Sequence, residues 1–148
     1  MGLNSYPKNG KKHNGNRIMR QEPNQKDILP LMSIGTVIYC RKWRECVDFY
    51  RKALLCDISF QNEFFVELSP LSGARLGLMD VSRTRKEVPH PESIVISIQV
   101  SNLEETLQVL RKSFPDMPDS FQRVWGVKLI SIRDPDGRVV EFWEKETT

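Results

Sequence analysis

Few residues in this chain are equipped for chemistry. There are two histidines, His13 and His90, and three cysteines, Cys40, Cys46 and Cys56. His90 stands between Pro89 and Pro91, a context that reads as an exposed loop, and His13 lies far from it near the N-terminus. The two are not expected to meet. The cysteines form no CxxC pair, and no histidine is near them in sequence. A thiol nucleophile needs a neighbouring base or cation to lower its pKa, so all three read as structural. The remaining candidate is Glu141, in Val139-Val140-Glu141-Phe142-Trp143. Strand alternation that turns Val140 and Phe142 toward a core sends Val139, Glu141 and Trp143 to the opposite face. A carboxyl half-buried beside an indole has its charged form disfavoured, so it can donate or accept a proton or pair with a ligand cation. It can equally be structural, bonded to Arg75 or another neighbour.

The elements that must position these groups come in two similar runs. Ile34 to Cys40 is β-branched and aromatic, as strands are. Trp43, Cys46, Val47, Tyr50, Ala53 and Leu54 then fall on one face of a 3.6-residue period, predicting a helix packed on a sheet. Strands follow at 57–61, 64–69 and 74–80. A polar connection with two prolines and the charged residues Arg83, Arg85, Lys86 and Glu87, 81–91, separates this β-α-β-β-β unit from a second. There, 93–100 is a strand, Ser101 and Glu104 fit a capping box, and Leu103, Thr106, Leu107, Leu110 and Phe114 mark a helix. Strands at 118–125 (a weaker pattern), 127–133 and 138–144 complete it. Phe49-Tyr50 aligns with Val109-Leu110, and 72–80 aligns with 136–144. The fold class is therefore α+β, a duplicated βαβββ unit.

Charge and composition narrow the function classes. The formal charge is +3, but residues 1–30 carry six basic side chains against two acidic ones, so the remainder is slightly acidic and does not read as a nucleic-acid-binding domain. Residues 1–31 read as a disordered basic tail, since Asn, Gly and Lys recur without hydrophobic periodicity. Residues 32–148 read as the domain, with modules at about 33–81 and 92–146. No stretch has the basic start and apolar run of a secretory signal, and none reaches the roughly 20 apolar residues of a membrane span. A reduced, cytoplasmic protein is expected.

Between the last two strands stands Asp134-Pro135-Asp136-Gly137, where Pro sets φ for a type I turn and Gly accepts a positive φ. This turn lies within IRDPDGRVVEFWE, and DFYRKALL stands in the first helix. With the duplication, these motifs resemble the vicinal oxygen chelate superfamily, which includes glyoxalases, bleomycin-resistance proteins and extradiol dioxygenases. The resemblance covers nearly everything after the tail. It implies curved half-barrel sheets around a small-molecule cavity, helices outside, and a homodimer.

The resemblance also implies where a divalent metal is held in catalytic members, on the first and last strand of each module. The matching positions here are Gly35, Gly77, Val95 and Glu141. One carboxylate cannot replace the three or so convergent ligands that even an open site needs, so neither metal nor other cofactor is expected. Alternation points Val37, Tyr39, Arg75, Met79, Ser97, Gln99, Glu141 and Trp143 into the cavity, and Trp125 is a candidate wall. This lining suits a small organic ligand, aromatic or cationic, held by stacking and cation–π attraction. The leading expectation is metal-free binding or sequestration. A lyase or dioxygenase with a non-standard site using Glu141 as ligand or general base is the alternative, and an effector-sensing domain working through a separate DNA-binding partner is a third.

Overall fold

The computed structural model describes residues 32–85 and 87–146; the expectation of a disordered tail over residues 1–31 lies outside them. Strand β1 (Ile34–Cys40) leads into helix α1 (Trp43–Leu54), and β2 (Ile58–Gln61), β3 (Phe65–Leu71) and β4 (Ala74–Asp80) follow. The order is then repeated by β5 (Val95–Gln99), α2 (Leu103–Leu110), β6 (Gln122–Val124), β7 (Val127–Arg133) and β8 (Val139–Lys145). The sheets have the orders β1-β4-β3-β2 and β5-β8-β7-β6. In each, the first strand pairs parallel with the last, and the other neighbours are antiparallel. The duplication read from the sequence is thus a duplication of topology. Gly73 and Gly137, aligned in that reading, both sit at positive φ in the hairpins before β4 and β8.

Alternation divides each sheet into a helix-packed face and an open one. Ile38, Cys40, Leu76, Leu78, Val66 and Leu68 are buried, as are Ile130, Val140 and Phe142 in the second sheet. The helices bury Cys46, Phe49, Tyr50 and Ala53 from α1, and Leu103, Leu107 and Leu110 from α2. These residues form one continuous core, in which each fully buried leucine contributes about 1.5–3 kcal/mol. Phe49, absent from the predicted helix face, joins it by packing against Tyr50 and Phe114, both at ring-centroid distances of 5.1 Å.

Two local expectations are corrected. The cap of α2 is Asn102, not Ser101: the Asn102 side-chain oxygen accepts from the amide of Glu105 at 3.0 Å, and the Leu103 amide donates to Glu144 at 2.8 Å. A side chain from β8 thereby satisfies an orphan amide in the first turn of α2. Helix α2 also stops at Leu110, so Phe114 packs from the following turn.

Candidate functional site

The β1 and β5 edges of the two sheets line a groove of about 590 Å³. All five residues of β5, Val95 through Gln99, line it, together with Thr36 of β1, Leu54, and Pro70 through Leu76 with interruptions. Successive side chains of a strand point to opposite faces, so five consecutive lining residues mean that β5 presents its edge to the groove. The lining is mainly apolar, with Thr36, Ser97 and Gln99 as neutral polar groups and Arg75 as its only ionisable residue. The Arg75 side chain is half-exposed and donates to Glu67 Oε1 at 3.0 Å; Glu67 also accepts from Ser59 Oγ.

Of the residues expected to face a cavity, Arg75, Ser97 and Gln99 meet in this groove. Val37, Tyr39, Met79, Glu141 and Trp143 lie on the open faces of β1, β4 and β8, outside its lining. Glu141 Oε1 accepts from Ser97 Oγ at 2.6 Å, and Ser97 Oγ in turn accepts from Trp143 Nε1 at 3.0 Å. The cross-strand register explains the trio, since Ser97 lies opposite Glu141 and Gln99 opposite Trp143. The partner of Glu141 is therefore Ser97, while Arg75 is engaged by Glu67.

Trp125 does not form a wall of the groove. Trp125 and Gly126 both have positive φ, 49° and 80°, as a primed two-residue hairpin between β6 and β7 requires. That turn carries the indole outward, leaving Trp125 99% exposed. His90 is likewise exposed, and its nearest charged partner is Glu92 at 3.9 Å.

At the metal positions, geometry adds to what residue types indicate. A Cβ at Gly77 would lie 2.7 Å from the Phe65 ring and 3.0 Å from a Val37 methyl. The ring of Phe65, on the neighbouring strand, occupies the place a ligand side chain would need. At Gly35 a Cβ would meet that of Arg75 at 3.3 Å. Glu141 belongs to no group of three potential ligands among the described residues. The residues do not fit a metal of the kind catalytic members hold.

A second polar centre was missed from the sequence. In the Asp134-Pro135-Asp136-Gly137 turn, Asp134 is buried and accepts from the amides of Asp136 and Arg138, from Tyr50 Oη at 2.8 Å, and from the Arg138 guanidinium. Asp136 reaches the β1–α1 corner, accepting from the amides of Arg41 at 2.7 Å and Lys42 at 2.9 Å. Arg138, also buried, donates to the Tyr39 carbonyl. Helix α1 has no side-chain cap of its own, so a turn from the other module serves its N-terminus. Burial, followed by the nearby Asp134 charge, pushes the Tyr50 hydroxyl pKa up. Burial opposes the charge on Arg138, but Asp134, Tyr50 and Cys40 together outweigh it and the pKa is raised. Cys46, hydrogen-bonded to Cys40 and buried, has its thiol pKa raised, and burial raises that of Cys56. Nothing in the local spacing of the turn signalled partners so distant; the unpaired start of α1 was the one available hint.

No helix among the described residues is long and apolar enough to cross a membrane. No family model matches the chain, and no curated protein is similar to it in sequence. Solved structures are similar in fold. A lactoylglutathione lyase from Agrobacterium tumefaciens superposes with a TM-score of 0.61 at 19% identity, covering 78% of this chain and 95% of that one. A glyoxalase/bleomycin resistance protein/dioxygenase from Nocardioides gives 0.63 at 18% identity, covering 80% and 85%. The oxidase ChaP-H2 gives 0.58 at 16% identity, covering 79% and 95%. With the duplicated βαβββ order and the parallel pairing of first and last strands, these likenesses give the chain the fold of the vicinal oxygen chelate superfamily.

Proposed function

We propose that this chain binds or sequesters a small organic molecule in the groove between β1 and β5, and does so without the divalent metal of catalytic superfamily members. The observation that carries the reading is the Phe65 ring over Gly77, which fills a ligand position instead of leaving it open. The groove supports an apolar, flat ligand, and Arg75 favours one bearing a carboxylate or similar anion. A cationic ligand would have to reach Glu141 beyond the lining. The protein acts in the cytoplasm as a homodimer in this reading.

Thermal denaturation with a panel of aromatic carboxylates, aromatic amines and 2-oxo acids, each with and without chelator, tests it. A carboxylate present at about 100 times its Kd should stabilise the chain by about 2.7 kcal/mol. The stabilisation should survive chelation, and Arg75→Gln should weaken binding about tenfold, the loss of one charge-assisted hydrogen bond. A shift that disappears with chelator, or one indifferent to Arg75→Gln, overturns the proposal.

The short Ser97–Glu141 hydrogen bond favours a second reading, a lyase or dioxygenase in which Glu141 is the general base. Any turnover found with glyoxalase-type or catechol substrates should then be abolished by Glu141→Gln with the fold intact; a wild-type rate in that variant removes this reading.

A further inference from the structure

We propose that Cys40, Cys46 and Asp136 form a binding site for a thiophilic divalent cation such as zinc, at the corner where the two modules join. The three residues come from three elements: the end of β1, the first turn of α1, and the turn between β7 and β8. Their two sulfurs and one carboxylate oxygen all lie within 4.8 Å of one another. Zinc–sulfur bonds of about 2.3 Å and zinc–oxygen bonds of about 2.0–2.2 Å place tetrahedral ligands roughly 3.5–3.8 Å apart, so the set needs to close by at most about 1 Å. Two sulfurs and one oxygen select a borderline or soft ion over magnesium or calcium.

The surroundings are already arranged for such an ion. Both cysteines are fully buried, whereas Asp136 is partly exposed and leaves a side open for a water as fourth ligand. The amides of Arg41 and Lys42 fix the Asp136 carboxylate, the role that outer-shell hydrogen bonds play for ligating carboxylates. Arg138 interacts electrostatically with Cys40, and its Nε is buried with no hydrogen-bond partner. A metal-bound thiolate at Cys40 supplies a negative charge that the buried guanidinium of Arg138 favours. Charge balance also holds: a divalent ion displaces one proton from each of two thiols, so the net charge of the corner does not change. None of the three residues lines the β1–β5 groove, so this ion would brace the fold and is independent of the ligand proposal.

The reduced, metal-stripped full chain titrated with cadmium provides the test. A sulfur-to-cadmium absorption band should saturate at one equivalent, and the melting temperature should rise with it. Cys56→Ser should leave both unchanged, Cys40→Ser and Cys46→Ser should each remove them, and Asp136→Asn should weaken affinity at least about tenfold. Zinc X-ray absorption on the unmodified chain, which needs no variant to fold, should fit two sulfur scatterers at about 2.3 Å. Absence of the band, its persistence in Cys40→Ser and Cys46→Ser, a falling melting temperature, or zinc without two sulfurs overturns the proposal.

Discussion

Asp134 is the residue on which most of the buried polar chemistry converges. It receives Tyr50, Arg138 and two backbone amides, so its removal strands a buried guanidinium and not simply a hydrogen bond. Asp134→Asn is expected to cost about 3–5 kcal/mol in urea denaturation, the penalty of breaking a buried pair from one side. Tyr50→Phe removes one neutral donor and should cost about 0.5–1.5 kcal/mol. The same centre sets a response to alkali. In the metal-free chain, Tyr50 and Cys46 hold their protons to higher pH when folded than when unfolded, where tyrosine titrates at about 10 and cysteine at about 8.5. Above those values the unfolded chain binds fewer protons, so stability falls as pH rises. It should be fully present below about pH 8.5, decline first through Cys46 and then, above about pH 10, through Tyr50. Urea midpoints measured from neutrality upward should show this slope, made shallower by Tyr50→Phe; a flat profile contradicts it.

At the scale of elements, β3 and β4 decide what the first module cannot do. Gly77 exists under the Phe65 ring, so Gly77→Ala should destabilise by about 1–3 kcal/mol through overpacking. Adding Phe65→Ala should recover part of that loss, because the two positions share one space, and a double-mutant cycle measures the coupling. Element identities were largely legible beforehand. Period-2 runs such as Val139 to Trp143 alternate in burial as read, and the 3.6-residue face of α1 is the buried one. What sequence could not show was contact between distant positions. Tyr50 and Asp134 are 84 residues apart, and the Asp136–Arg41 bond spans 95. The Asp134-Pro135-Asp136-Gly137 run is fully explained as a turn, so its local sense concealed its longer reach. Trp125 failed for the opposite reason: aromatic character suggested a wall, but backbone handedness at the hairpin determined its direction. The candidate site was legible only as a set of strand faces, and which members converge depended on how β5 presents its edge.

For the molecule as a whole, the open faces leave apolar surface uncovered. Ile34, Val37, Leu71 and Val95 are all exposed, together with the Trp125 indole. The proposed homodimer covers such surface, and sedimentation should then show a two-chain species that Val37→Glu shifts toward monomer; a monomer at every concentration removes that proposal. The corner formed by Asp134 and Asp136 also has a consequence in time. The first module contains every strand of its own sheet once Asp80 has been made, yet the start of its helix has no cap until residues 134–138 follow. On the ribosome, the first half must wait with an unfinished helix end while the second half is translated. Its folding is therefore completed from the far end of the domain, and a chain interrupted before Asp134 would lack both the partner of that helix start and β8, the strand that joins β5 to β7.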